Sequence, residues 1–227
     1  MINTWYLMRS ATADAAHNMA VDEVLLESMP QLQRPVLRFY GWTEPAASFG
    51  YFQKFAEVER LTHLRPLIRR PTGGGIVPHD SDWTYSLAFP TNHEWYALRA
   101  IDSYRSVHEW LQAAFAKLGV ATEVASCCLK SGPGQCFLGH EQSDLLWQGR
   151  KIAGAAQRRT RQGLLIQGSI QPPPIRQGRA EWEAAMCRSG PGETVQWVAL
   201  EPDPELVRAV MLRVAEKYSR DSFNRKR

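Results

Sequence analysis

The sequence predicts an α/β (α+β) domain, a mixed β-sheet flanked by helices. Runs rich in β-branched and aromatic residues recur along the chain, and three segments with apolar residues at helical spacing interrupt them. A length of 227 residues suits one domain, or one with a small appendage, and buries enough surface to need no covalent staples. Hydrophobic residues at 44% and charged residues at 22% are ordinary globular values.

Asn18 to Met29 is expected as the first helix, with Val21, Val24, Leu25 and Met29 on one face, Asn18 or His17 at its start and Pro30 at its end. Val36 to Trp42 reads as a strand, closed by a turn at Glu44-Pro45. Ser48–Phe52 and Pro66–Arg70 read as short strands, and Trp83–Phe89 as a longer one. Ile101 to Leu118 carries the clearest helical stripe, from Tyr104 and Val107 to Phe115 and Leu118, with Gly119 placed to end it. Val120–Val124 is a further strand, and Cys127–His140 a loop around Gly132-Pro133-Gly134. Leu145–Arg150 and Ile152–Gln157 are strand-like around a Gln148-Gly149 turn, and Gly163–Ile170 follows. Pro172-Pro173-Pro174 marks the one plausible boundary. Beyond it, a helix from Asp203 to Tyr218 is expected, with Asp203 as N-cap and Pro204 in the first position.

The formal charge of +4 suits an acidic ligand or partner and is too weak to indicate nucleic acid. No apolar run approaches membrane-span length and no signal-peptide pattern opens the chain, so a cytoplasmic protein without a membrane partner is expected. Cys127, Cys128, Cys136 and Cys187 do not read as a disulfide framework. Adjacent cysteines also fail zinc-ligand spacing when grouped with His140, so no metal site is expected.

Chemistry concentrates in three places. The first is Arg69-Arg70-Pro71-Thr72-Gly73-Gly74-Gly75, followed at a short distance by His79-Asp80. Glycines let backbone N–H groups approach a ligand closely, and two guanidiniums beside them favour a carboxylate or phosphate. The alternative is a glycine loop that merely joins two strands. The second is Lys151 entering a run of small residues, Ala153, Gly154 and Ala155, which leaves space for a ligand under an ammonium. The alternative is a solvated hairpin lysine. The third is Cys136, a nucleophile if a cation lowers its pKa and an inert thiol otherwise. His79-Asp80 reads either as an acid/base pair or as two loop residues satisfying backbone. Capping and solvation account for Asn18, Asp22 and Glu23.

Arg-Arg-Pro-Thr-Gly-Gly-Gly-x-Val-x-His-Asp followed by Trp83-Thr84-Tyr85-Ser86 resembles the lipoate–protein ligase and octanoyltransferase family, the cofactor protein ligases. Lys151-Ile152-Ala153-Gly154-Ala155-Ala156 is similar to that family's Lys-x-x-Gly-x-Ala signature, and Gln167-Gly168-Ser169 to the His-Gly-Thr/Ser that follows it. Asn18-Met19-Ala20-x-Asp22-Glu23 and Arg38-Phe39-Tyr40-x-Trp42 resemble its opening segments, so the likeness spans roughly residues 4–175.

The resemblance implies a class II biotin/lipoyl-synthetase-like fold, with residues 1–175 as the transfer domain and 176–227 as a helical extension packed on it. It implies transfer of an octanoyl or lipoyl group to the lysine amine of a lipoyl domain or glycine cleavage H protein. In the transferase branch, Cys136 followed by Phe137 sits where a thioester intermediate forms, the donor is octanoyl-acyl carrier protein, and no cofactor is required. Lys151 would support Cys136, while Arg69, Arg70, Gly73, Gly74, Gly75, His79, Ala153, Gly154 and Ala155 would bind substrate. The ligase branch uses ATP and Mg to form a lipoyl-adenylate, and the Gly73–Gly75 triplet is closer to that branch. A non-catalytic acyl- or lipoyl-domain-binding protein is the third alternative. Under either catalytic branch, the Lys151 ammonium and the glycine bend are expected to converge on one acyl carbonyl.

Overall fold

The computed structural model describes residues 3–129, 139–192 and 194–226. In chain order the elements are β1 (Asn3–Ala13), α1 (Ala15–Glu27), α2 (Met29–Leu32), β2 (Val36–Trp42), β3 (Ala46–Phe49), α3 (Phe55–Leu61), β4 (Leu67–Arg69), β5 (Val77–His79), β6 (Trp83–Pro90) and α4 (Glu94–Ala97). There follow α5 (Ala100–Lys117), β7 (Glu123–Val124), β8 (Leu145–Trp147), β9 (Arg150–Arg159), β10 (Gly163–Ile170), α6 (Arg179–Ser189), β11 (Val195–Ala199) and α7 (Pro204–Arg213). A π-helical turn, Val214–Tyr218, and α8 (Asp221–Asn224) end the chain.

Eight strands form one mixed sheet in the order β11-β1-β2-β6-β10-β9-β8-β7. β1 runs parallel to both β2 and β11, whereas the pairs from β2 to β7 are antiparallel. A second sheet, β4-β3-β5, carries the chain into and out of the glycine loop. Period-two alternation sends odd-numbered residues of β6, such as Tyr85, Leu87 and Phe89, into a core with Val107, Leu111 and Phe115 of α5 and Trp182 of α6. The opposite face packs on α1, whose Met19, Val21 and Leu25 share a second core with Ala88 and, from α7, Val210. β10 lies in the middle and all its residues are buried, as expected for a strand covered on both faces.

Most expected elements form near their expected bounds, but the first helix differs. Its N-cap is Asp14, whose carboxylate accepts from the His17 amide at 2.7 Å. Asn18 is fully buried inside the helix, and it donates to the carbonyls of Ala13 and Gly41. Asp22 and Glu23, expected on a solvated face, are buried as well. Pro30 stands in the first turn of the short α2, one residue after its start, rather than ending a helix, since its missing N–H costs nothing there.

Residues after Pro174 supply β11 and four helical segments. Trp197 of β11 stacks on Trp110 at 6.4 Å between centroids. On the other face, Arg213, Lys217 and the Tyr218 hydroxyl all reach the Glu23 carboxylate, at 2.7, 2.6 and 3.1 Å. Burial pushes the Glu23 carboxyl up, but the Lys217 and Arg213 cations outweigh it and hold it below its ordinary value.

Candidate active site

A hollow of about 500 Å³, counted to its open mouth and including solvent space, lies on the α1 face of the large sheet. The ends of β9 and β10, Met19 of α1 and the glycine loop enclose it.

Its floor is made by subtraction. Gly154, Ala155 and Ala156 of β9 lie beside Gly168 and Gln167 of β10, where small side chains leave room above the sheet. On the other face, Gly168 lets the Tyr85 ring lie against the strand, since a Cβ there would stand 2.1 Å from the ring. Lys151 crosses Gly154, and a Cβ on Gly154 would come within 2.8 Å of both Lys151 Cε and Nζ.

The Lys151 ammonium meets Asp144 Oδ2 at 2.7 Å, and both side chains are more than nine-tenths buried. Asp144 is itself fixed, because its Oδ2 accepts from the Glu141 amide at 2.7 Å. Behind it, His108 Nδ1 meets the Ser143 carbonyl at 2.5 Å, at a residue whose φ is 77°. Burial pushes the His108 imidazole pKa down to about 4, against the raising effect of the Asp144 charge. This places a neutral ring beneath the ion pair. The lysine is therefore an oriented cation rather than a solvated hairpin side chain.

The glycine loop forms the opposite wall. Gly74 adopts φ 87°, and its Cβ would stand 2.7 Å from Arg70 Nη2 and 3.6 Å from Ala156. The loop thus rests on Arg70 and faces β9. Arg70 Nε and Nη2 both donate to the Gly73 carbonyl, at 3.0 and 2.5 Å, and Nη1 lies 3.3 Å from Ser48 Oγ. Gly50 must also be glycine, because a Cβ there would fall 1.9 Å from the Gly74 carbonyl oxygen.

His79 lines the hollow with its ring stacked on Trp42, centroids 3.8 Å apart. Its acidic partner is Asp82, which rules out the reading of His79-Asp80 as an acid/base pair: Nδ1 meets Asp82 Oδ2 at 2.8 Å while Asp80 is exposed. Below, the Asp22 carboxylate accepts from Arg38 at 2.7 Å, Ser86 at 2.6 Å, Gln167 at 2.7 Å and Tyr40 at 3.1 Å. Gln167 in turn accepts from the Thr72 hydroxyl at 2.7 Å, which joins α1 to the glycine loop through one buried network.

The expected site residues divide by position. Lys151, Arg70, Gly74, His79, Gly154 and Ala155 line one hollow. Gly73 contributes its carbonyl to Arg70, and Gly75 continues the loop toward Ile76. Arg69 turns the other way: its guanidinium lies over Phe49 and donates to the carbonyls of Tyr51, Gln53 and Asn224. Ala153 is buried in the α5-side core. Cys136 and the glycine-proline segment around it lie outside the described residues. Sequence reasoning passed over Asp144, Ser48 and Asp82. Asp144, just before β8, stands in no motif, and its contact with Lys151 comes from the pairing of β8 with β9. Among the described residues, no group of His, Cys, Asp and Glu is arranged to hold a metal ion, and no helix is long and apolar enough to cross a membrane.

The profile of the lipoyl protein ligase A/B catalytic domain matches residues 14–171, which carry every wall of the hollow. Octanoyltransferase LipM of Halalkalibacterium halodurans is 36% identical over 182 residues, 74% of this chain and 66% of that protein. Octanoyltransferase LipM of Bacillus subtilis is 34% identical over 180 residues, covering 74% and 65%. The chain thus spans just under two thirds of the length of these relatives. Among solved structures, protein Ta0514 of T. acidophilum superposes with a TM-score of 0.83 at 20% identity over 99% of this chain and 100% of that one, a likeness of fold. The large mixed sheet with helices on both faces is accordingly the fold of lipoate–protein ligases, and this chain belongs to the lipoyl protein ligase A/B catalytic domain family.

Proposed function

We propose that the chain is an acyltransferase that moves an octanoyl (or lipoyl) group to the lysine amine of a lipoyl domain or glycine cleavage H protein. The observation that carries this reading is the oriented Lys151 ammonium over the Gly154–Ala156 floor, facing the glycine loop across one hollow. The family assignment and the octanoyltransferase relatives at 34–36% identity support it.

In this reading the apolar chain lies over Gly154, Ala155 and Gly168, with Met19 and Val77 beside it. Lys151 Nζ takes the charge that develops on the acyl oxygen during attack, and Asp144 keeps the ammonium aimed so that no reorganisation is needed then. Arg70 holds the Gly73 carbonyl and so sets the bend. Octanoyl-acyl carrier protein is the donor. Cys136 accepts the acyl group as a thioester, its thiolate favoured by a nearby cation because an unperturbed thiol of pKa about 8.5 is mostly protonated at neutral pH. The lysine amine then attacks that thioester. No cofactor enters this sequence, and the enzyme works in the cytoplasm.

The second reading is an ATP-dependent lipoate–protein ligase, favoured by the Gly73-Gly74-Gly75 triplet. One assay separates the two. Octanoyl-carrier protein, enzyme and a lipoyl domain are incubated without nucleotide and the acceptor is weighed by mass spectrometry. Octanoylation without ATP, lost in Cys136→Ser, is the expected result. Acceptor modified only from free acid with ATP and Mg, and unaffected by Cys136→Ser, would establish the ligase.

A further inference from the structure

We propose that Ser48, His79 and Asp82 form the proton relay that takes up the proton of the attacking amine. This rests on the reading above that the acceptor is a lysine amine, and it holds for either a thioester or an adenylate as the acyl source.

The three side chains stand in line at the wall of the hollow. Ser48 Oγ lies 2.8 Å from His79 Nε2, and His79 Nδ1 lies 2.8 Å from Asp82 Oδ2. All three are buried, and Ser48 and His79 line the hollow. Asp82 Oδ2 also accepts from Thr84 Oγ1 at 2.9 Å and Ser169 Oγ at 2.7 Å. Because Oδ2 already acts as an acceptor toward both hydroxyls, its contact with Nδ1 makes that ring nitrogen the donor. Nε2 is then an acceptor aimed at the Ser48 hydroxyl, the arrangement of a nucleophile or relay hydroxyl with its oriented base.

Two further features fit a base better than a passive strut. Asp82 Oδ1 is buried with no hydrogen-bond partner. A carboxylate left half-satisfied is costly, and the cost falls when a positive imidazolium forms beside it. The Trp42 ring, 17° from parallel with the imidazole, holds the ring plane, and its Nε1 donates to Thr84 Oγ1 at 2.8 Å, the same hydroxyl that donates to Asp82. Of the charged and titratable groups around the ring, Asp82 meets His79 directly, Arg70 reaches it through Ser48, and Tyr40 and Lys151 line the same hollow.

The step balances as follows. The acceptor ammonium passes one proton to Ser48 Oγ while the Ser48 proton passes to His79 Nε2, and the amine nitrogen so freed bonds to the acyl carbon. The bond from carbon to the leaving sulfur breaks, the leaving thiolate takes the second nitrogen proton, and the imidazolium releases its proton to solvent. The products are an amide and a thiol.

The test compares two nucleophiles with one octanoyl donor: the lipoyl-domain lysine, and hydroxylamine, which is uncharged at neutral pH and needs no base before attack. General-base assistance is worth about 10²–10⁴-fold, so His79→Gln is expected to lose at least about 100-fold toward lysine. Hydroxamate formation should change only a few-fold. Ser48→Ala and Asp82→Asn should follow the same pattern, and Ser48→Thr, which keeps a hydroxyl, should recover. The inflection that a histidine base adds to the acid limb of the lysine pH–rate profile should be absent in His79→Gln, leaving only the rise set by the lysine amine, whose ordinary pKa is about 10.4. Equal losses toward both nucleophiles would make the three residues structural and overturn the relay, as would wild-type lysine transfer in His79→Gln. A wild-type enzyme inert toward both nucleophiles would overturn the transferase reading itself.

Discussion

Gly154→Ala separates the placement of Lys151 from the stability of the fold. The added methyl would stand 2.8 Å from Lys151 Cε and Nζ and 3.3 Å from Asp144 Oδ1, where ordinary carbon contacts begin near 3.4 Å. The backbone at Gly154 is not in the left-handed region, so alanine fits the strand itself. Strain is relieved by the flexible end of Lys151, which must move by roughly an ångström, a displacement that typically costs about 100-fold in rate. That equals about 2.7 kcal/mol of transition-state stabilisation. Stability should change by no more than about 1 kcal/mol, because only the tip of one side chain is displaced. Single-turnover octanoyl transfer and urea denaturation measure the two effects on one preparation. Full turnover in a normally stable Gly154→Ala protein would refute the claim that the Lys151–Asp144 geometry matters.

Two other perturbations test the surroundings of the site. The His108 imidazole is neutral in the fold, with its pKa pushed down to about 4 by burial, against an ordinary value near 6.5. Its contribution is therefore fully present above about pH 6.5 and lost as pH falls toward 4, up to about 3 kcal/mol; in denaturation at pH 7 and pH 4 the gap should shrink in His108→Gln, and an unchanged gap would contradict the assignment. Gly50→Ala places a methyl 1.9 Å from the Gly74 carbonyl oxygen, which is backbone and cannot step aside. It should destabilise by about 1–3 kcal/mol and displace the glycine loop, read as lowered Tm together with lost transfer.

Local chemistry makes much of the hollow legible in the sequence. Arg70, Gly74, Lys151, Gly154 and Ala155 were readable because glycine, small residues and a lone cation in a strand are unusual where they stand. What was not readable depends on pairing between distant segments. Arg69 and Arg70 look alike in sequence, yet strand alternation sends one toward Asn224 and the other toward Gly73. Asp82, rather than Asp80, meets His79 because the turn at 80–82 brings it back under the ring. Asn18, Asp22 and Glu23 look like ordinary helix-surface residues, and only the arrival of Arg38, Gln167 and Lys217 from other elements makes their burial tolerable. β1 carries Arg9 and then small or polar residues along its exposed half, and it becomes a strand by lying between β2 and β11.

A crystal structure with an unreactive octanoyl amide bound tests the account most directly. It should place the carbonyl oxygen within hydrogen-bond reach of Lys151 Nζ, and the alkyl chain over Gly154 and Gly168 on the α1 face. An octanoyl group bound on the α5 face, or one whose carbonyl lies away from Lys151 and the glycine bend, would contradict it.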